Sequence, residues 1–221
     1  MPGLRDSETG EYITDRLSVE ANKFLEANRD RPFFLYLPEF AVHVPLQAKK
    51  ELIAKYEAKA KATSGPWNPT YAAMIESVDQ GIGRITRKLD DLGLAGRTVV
   101  FFMSDNGGVR YEGRDERLIT DNSPLRAGKG HLYEGGIREP MFIRWPGVVK
   151  PGSISEAMVS SIDFFPTNLE MAGAPPMPSD GVSLAPVLKQ AGGLKRDEIF
   201  WHFRITISWG QARGCDPPRT R

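Results

Sequence analysis

The stretch that most constrains the fold is TVVFFMSDNGG, residues 98–108. Its first six residues are apolar or β-branched without alternation, which is typical of a strand buried on both faces of a mainly parallel sheet. Ser104, Asp105 and Asn106 then place short oxygen-bearing side chains at the carboxyl end of that strand, and two glycines allow a sharp turn. Ligands of open α/β sheets bind at this edge, so the stretch predicts both a central strand and a site.

The residue types at this edge indicate which ligand to expect. A carboxylate beside a carboxamide offers hard oxygen donors, which suit calcium or magnesium better than zinc. Asp105 and Asn106 are therefore candidate metal ligands. The same pattern also fits an ordinary turn after a strand, and the motif alone leaves both interpretations open.

Composition narrows the class of protein. A chain of 221 residues with 40% hydrophobic content suits one domain with a sizeable core. Its 29 basic and 28 acidic residues give a formal charge of +1, which argues against nucleic acid or an anionic membrane as partner. No apolar run is long enough for a membrane span, and the opening residues contain no signal-peptide core, so localisation is left open. A single cysteine, Cys215, excludes an internal disulfide framework.

Hydrophobic periodicity predicts helices that alternate with strands. Amphipathic or helix-favouring segments cover residues 14–28, 49–62, 71–92 and 184–189, and residues 161–173 are predicted to form a helix capped by Asp163. Strands are predicted at residues 33–37, 98–103, 141–145, 156–160 and 198–203. The alternation indicates an α/β fold, with a mainly parallel sheet sandwiched by helices.

Two further residues are candidates for chemistry. His43 follows the predicted strand 33–37 within AVHVPL, and Lys129 lies between two glycines in PLRAGKGHLYEGGIREP. A lysine in such a loop is a compact positive charge that can meet an oxyanion, although the GxxxxGK[ST] spacing of a nucleotide-binding P-loop is absent. Taken singly, each residue is explained more simply as an ordinary loop side chain.

Several motifs together resemble one family. In chain order they are FFLYLPEFAVHVPL, YAAMIESVDQGIGRI, TVVFFMSDNGG, PLRAGKGHLYEGGIREP, RWPG, SSIDFFPT and EIFWHF. Their order and spacing resemble the latter part of the catalytic domain of sulfatases of the arylsulfatase A and N-acetylgalactosamine-6-sulfatase type, in the alkaline phosphatase superfamily. The resemblance implies a partial sulfatase catalytic domain over residues 1–203 that lacks the N-terminal strands, with residues 204–221 an unassigned tail.

The resemblance also implies roles for individual residues. Asp105 and Asn106 match the family's calcium ligands. His43 matches the histidine of its A-P-H-x-P motif, which hydrogen-bonds the sulfate and protonates the leaving alcohol, with Val42 in place of the proline. Lys129 matches the G-K-G lysine that contacts the sulfate. The implied activity is hydrolysis of a sulfate ester, expected on a carbohydrate, in a periplasmic or secreted enzyme.

The family's nucleophile is expected outside this chain. It is a formylglycine, made from Cys or Ser by a formylglycine-generating enzyme, and its motif precedes the matched region. Residues 215–219, CDPPR, spell C-x-P-x-R but have Pro218 where the family has a small residue, so we interpret Cys215 as a coincidence in a tail that is expected to be aberrant. The isolated chain is therefore expected to be inactive.

Two other functions are left open by the sequence. One is a non-catalytic remnant or calcium-binding module. The other is a phosphatase or phosphodiesterase of the same superfamily, although a two-metal site would need further Asp and His ligands and the chain has only three histidines. The particular sulfate ester and the oligomeric state are not predicted.

Overall fold

The computed structural model describes residues 10–59, 67–109 and 119–202. The predicted tail 204–221, with Cys215, lies outside these residues. Within them the helices are α1 Ile13–Ala27, α2 Lys50–Ala58, α3 Pro69–Asp91, α4 Glu134–Ile137, α5 Phe164–Met171 and α6 Ala185–Leu188. The strands are β1 Val100–Met103 and β2 Met141–Arg144, and short 3-10 turns lie at Ala95–Arg97 and Ser161–Asp163.

Helices α1 and α3 approach closely through small side chains. A Cβ atom at Gly81 of α3 would lie 3.6 Å from the Cβ of Ser18 on α1, which is ordinary contact. Arg84 of α3 crosses the same interface and donates to Asp15 Oδ1 at 2.6 Å and to Ser18 Oγ at 3.0 Å. Lys49 donates to the other oxygen of Asp15 at 3.0 Å, so one carboxylate links α1, α3 and the start of α2.

Helix α3 begins at a side-chain cap. Asn68 Oδ1 accepts a hydrogen bond from the backbone N–H of Tyr71 at 3.0 Å, and Pro69 occupies the first helical position. The helix therefore starts two residues before the predicted segment 71–92. Within this helix Ile75 is 49% exposed, and the buried stripe is the one that includes Ser77.

Strand β1 lies between two helical layers. On one side Val100 packs against a buried leucine cluster that α1, α3 and the turn after α3 supply, namely Leu25, Leu89 and Leu94. On the other side the ring of Phe101 lies 5.2 Å from the ring of Phe164 in α5. The arrangement confirms an α/β fold in which helices cover both faces of the sheet.

The two strands pair antiparallel, with Val100 opposite Arg144 and Met103 opposite Met141. The strands predicted at 98–103 and 141–145 are thus confirmed, but this pair does not have the parallel direction expected for most of the sheet. The backbone N–H of Ser104 donates to Pro140 O at 3.2 Å, so the connection leaves and returns at the same end of β1. A parallel partner would need a crossover to the opposite end.

The segment 33–37 was predicted as a strand. Phe33 and Leu35 pack on the leucine cluster, whereas Phe34 is 73% and Tyr36 is 77% exposed. This alternation is what an extended backbone produces. The segment forms no ladder among the described residues, so the strand prediction is wrong here: an extended backbone becomes a strand only where a neighbouring strand pairs with it.

The segments 156–160 and 198–202 also form no strand, and residue 203 lies outside the described part. A side-chain cluster holds this region instead. Arg196 donates from Nη1 to Asp163 Oδ1 and from Nη2 to Asp163 Oδ2, both at 2.7 Å. Asp163 is fully buried and also accepts from the backbone N–H groups of Ser160 at 2.8 Å and Val182 at 2.9 Å. Asp163 thus joins three segments.

The prediction that Asp163 caps the following helix is wrong in its geometry. Its side chain makes no cap hydrogen bond to α5, and it accepts instead from the N–H of Ser160 at the start of the preceding 3-10 turn. Burial by itself would raise the pKa of Asp163, but Arg196 and the two backbone donors outweigh burial and lower it. The hydrogen bond to Asp163 in turn raises the pKa of Arg196, so both groups stay charged.

Candidate active site

The carboxyl end of β1 carries the predicted metal ligands. Asp105 is exposed and Asn106 is half-buried, directly after the strand. The Asn106 amide nitrogen donates to Asp105 Oδ2, and Ser104 Oγ donates to the backbone oxygen of Asn106 at 3.3 Å. Because the amide nitrogen donates this hydrogen bond, the amide oxygen and the carboxylate oxygens are the atoms that can serve as ligands of a hard cation.

Glycines let the two predicted loops touch through their backbones. The N–H of Gly107 donates to Gly136 O at 3.2 Å, and a Cβ at Gly107 would lie only 1.8 Å from Gly135 O. A Cβ at Gly128 would lie 2.2 Å from Gly108 O. The glycines of PLRAGKGHLYEGG thus allow a close backbone approach to SDNGG.

This contact fixes the backbone of Lys129 beside the SDNGG loop. Its N–H donates to Gly108 O at 3.2 Å, while its side chain is exposed. Among residues 10–59, 67–109 and 119–202, no carboxylate pairs with the Lys129 ammonium. The structure therefore brings Lys129 together with the Asp105 and Asn106 segment and leaves its charge available to an anion.

Asn122 was not singled out from the sequence, yet it lies at the junction of the two loops. Its Oδ1 accepts from the N–H of Gly108 at 3.2 Å. Its Nδ2 donates to Gly108 O and to Ala127 O, both at 3.0 Å. The only sequence signal was an asparagine ahead of a glycine-rich loop, which does not reveal a partner 14 residues away.

His43 lies in a separate exposed loop. Its backbone N–H donates to Phe40 O at 2.9 Å, and its ring Nδ1 lies 2.8 Å from Val44 O. A carbonyl oxygen only accepts hydrogen bonds, so Nδ1 carries a proton. Nε2 is then the ring nitrogen that can exchange a proton with a ligand. Within the described parts of the chain, no hydrogen bond joins this loop to Asp105, Asn106 or Lys129.

Two glutamates near these loops were also missed by the sequence. Glu139 Oε1 and Glu39 Oε2 are buried without a hydrogen-bond partner among the described residues. Burial, reinforced by the Asp105 carboxylate, raises the pKa of Glu139. Burial also raises the pKa of Glu39, against the opposing charge of Arg84. Pro140, the residue after Glu139, accepts a hydrogen bond from the N–H of Ser104 at 3.2 Å, so a second acidic residue lies close to the end of β1.

The donor set fits part of a calcium shell. In the described part of the chain, no group of three or more His, Cys, Asp or Glu side chains could hold a metal ion. Asp105 and Asn106 have the right chemistry, but calcium takes about six to eight oxygens. Further ligands from elsewhere would therefore be needed for tight binding.

We expect Gly107→Ala to disturb this site. The new methyl group would overlap the backbone oxygen of Gly135, which cannot move like a flexible side chain, so the free energy of unfolding should fall by about 1–3 kcal/mol. Urea denaturation measures this change. Gly83→Ala is the control: Gly83 lies within α3 with nothing within 4 Å of the added Cβ, so the change should stabilise by about 0.5–1 kcal/mol. Equal effects of both changes would contradict the packing described.

None of the described helices combines the length and apolar character that crossing a bilayer requires.

Comparison with known proteins identifies the family. The sulfatase family model matches residues 2–174. The chain is 35% identical over 206 residues to human N-acetylgalactosamine-6-sulfatase, covering 90% of this chain and 37% of that protein. It is 36% identical over 197 residues to mouse steryl-sulfatase, covering 86% and 30% respectively. The structure of Ps i-CgsB in complex with k-i-k-neocarrahexaose superposes with a TM-score of 0.74 at 37% identity, over 87% of this chain and 41% of that one.

The chain thus spans about a third of the length of these curated relatives. Its fold is the alkaline phosphatase-like fold of the solved sulfatases, of which it forms a part. The match extends over both loops of the candidate site and over the His43 segment. This chain belongs to the sulfatase family.

Proposed function

We propose that this chain supplies part of the active site of a carbohydrate sulfatase. The observation that carries the proposal is the contact between the two glycine loops, in which the N–H of Lys129 donates to Gly108 O at 3.2 Å. It sets the backbone of Lys129 beside the loop that carries Asp105 and Asn106, at the ligand-binding edge of the sheet. The solved relative in complex with k-i-k-neocarrahexaose, and the relative named for an amino-sugar sulfate, support a carbohydrate substrate.

In this proposal each residue has one task. Lys129 binds a sulfate oxygen and offsets the negative charge that builds up as the sulfur is attacked. His43 donates a proton from Nε2 to the oxygen of the leaving alcohol. Its other ring nitrogen, Nδ1, faces Val44 O. Asp105 and Asn106 would hold calcium, which when bound would withdraw charge from the sulfate.

The nucleophile is the component that these residues do not supply. The family resemblance implies a formylglycine, formed from Cys or Ser by a formylglycine-generating enzyme, at a position outside the matched motifs.

A sterol sulfate is the second candidate substrate, favoured by the 36% identity to mouse steryl-sulfatase.

The calcium part of the proposal can be tested on the chain itself. With only Asp105 and Asn106 as metal ligands, we expect a Kd for calcium above about 10⁻⁵ M, which is the weak-binding limit of calcium sensor sites. Titration calorimetry measures it, with Asp105→Asn as the variant that removes the remaining signal and the exposed Asp30→Asn as the control. Micromolar or tighter binding by the unaltered chain would show that it completes the shell on its own.

The activity itself is tested in a chimera in which this chain replaces the matching segment of Ps i-CgsB. Co-expression with a formylglycine-generating enzyme should give sulfate release from k-i-k-neocarrahexaose and from an aryl sulfate. Release from a steryl sulfate alone would favour the second candidate substrate. A folded, formylglycine-bearing chimera without any sulfate release would contradict the proposed function.

A further inference from the structure

We infer that Asn122 is a positioning residue that sets the location of Lys129 for sulfate binding. The inference rests on the proposed function of Lys129 and adds a residue to that site. It is carried by the hydrogen bonds of one carboxamide across two loops that are separate in the sequence.

The Asn122 carboxamide spans both loops at once. Its Oδ1 accepts from the N–H of Gly108 at 3.2 Å, and its Nδ2 donates to Gly108 O at 3.0 Å. The side chain therefore hydrogen-bonds both backbone polar groups of Gly108. The same Nδ2 donates to Ala127 O at 3.0 Å, on the other loop. An amide group has two N–H donors and one carbonyl acceptor, and both donors are used here.

Both contacts of Asn122 adjoin Lys129. Gly108 O accepts from Asn122 Nδ2 and also from the backbone N–H of Lys129 at 3.2 Å. Ala127, two residues before the lysine, has a positive φ of 64°, a conformation that is uncommon outside glycine and needs support from its surroundings. Asn122 thus supports the turn that leads into Lys129 and the carbonyl group that anchors Lys129.

The space around the carboxamide is matched to it. A Cβ at Gly128 would lie 2.7 Å from Asn122 Nδ2, and a Cβ at Gly108 would lie 3.0 Å from Asn122 Oδ1. Glycines therefore make the room that the side chain occupies. An aspartate in this place has almost the same shape but no N–H donors, so when ionised it would set a carboxylate about 3 Å from two carbonyl oxygens.

The test uses Asn122→Asp in the Ps i-CgsB chimera. A misplacement of about 1 Å at a catalytic group can lower the rate on the order of 10²-fold, so we expect kcat/KM to fall between about 10- and 100-fold at neutral pH. Protonation gives the new carboxyl one donor again. The deficit relative to the unaltered chimera should therefore shrink as the pH is lowered toward the carboxyl pKa.

Asn68→Asp is the matched control. Among the described residues, Asn68 engages only its Oδ1, as acceptor for the N–H of Tyr71 at the start of α3, and a carboxylate keeps that acceptor. The same chemical change should therefore leave activity and its pH profile unaltered.

A double-variant cycle separates positioning from general stability. Because Asn122 is inferred to act through Lys129, Asn122→Asp should have little further effect on kcat/KM once Lys129→Ala is present. Hydrogen exchange of the Lys129 amide should be faster in Asn122→Asp and unchanged in Asn68→Asp, because the lost Nδ2 donors support the Gly108 and Ala127 carbonyl groups that position Lys129. Full additivity of the two activity losses, a pH-independent deficit, or unaltered exchange at the Lys129 amide would overturn the inference. The exchange measurement does not need turnover, so an inactive parent chimera would count against the proposed function alone.

Discussion

Replacing His43 with alanine in the Ps i-CgsB chimera is expected to lower turnover of a sugar sulfate on the order of 10²–10⁴-fold, the contribution of a positioned general acid. The loss should be smaller for an aryl sulfate with an acidic phenol, because that leaving group departs without a proton. Replacing Lys129 with alanine should cost on the order of 10²–10³-fold on both substrates, because sulfate charge is common to them. Steady-state kinetics on the two substrates separates these roles.

Controls of the same residue types are at hand. His202→Ala and Lys150→Ala remove an exposed histidine and an exposed lysine that lie outside the two glycine loops and the His43 loop, and turnover should be unaltered. A His43→Ala loss that is equal for sugar and aryl sulfates would contradict its role as the acid. Turnover by Lys129→Ala at the parental rate would remove the lysine from the site.

The second large effect concerns stability. Arg196→Met should lower the free energy of unfolding by about 3–5 kcal/mol, because it strands the fully buried Asp163 carboxylate without its charged partner. Arg196→Lys keeps the charge but loses the two-pronged contact, so it should recover only part of that loss. Denaturant titration of the chimera measures both values.

A surface ion pair provides the comparison. Lys189 and Glu170 form an ion pair at 3.3 Å with side chains that are 49% and 45% exposed, so Lys189→Met should cost no more than about 1 kcal/mol. Equal losses in Arg196→Met and Lys189→Met would show that burial of the Asp163 pair contributes nothing.

The same pair predicts a pH dependence. Arg196 and two backbone N–H groups lower the pKa of Asp163 in the folded state. The stability that Asp163 contributes is therefore fully present above the ordinary aspartate pKa of about 3.9, and it is lost as the pH falls through the lowered pKa of the folded state. In Arg196→Met the unpaired, buried carboxyl should instead have a raised pKa. Its stability deficit relative to the parent should therefore shrink with acidification, which denaturation at a series of pH values tests.

Features that depend on neighbouring residues could be predicted from the sequence. The periodicity of residues 14–28 and 71–92 matches α1 and α3, and the apolar run before Ser104 matches β1. The glycines around Lys129 can also be seen in the sequence, and a residue without a side chain lets another backbone approach closely. These features are local, since a helix face or a strand is specified by spacing along the chain.

The packing of the whole fold selects which distant segments meet. It selected SDNGG as the partner of the Lys129 loop, Asn122 as the link between them, and Arg196 as the partner of Asp163 33 residues away. It also decided that β2 runs antiparallel to β1 and that Phe34 faces outward. The physical reason is that hydrogen-bond partners and the covered side of a strand depend on how helices and loops pack in space, which residue spacing does not encode.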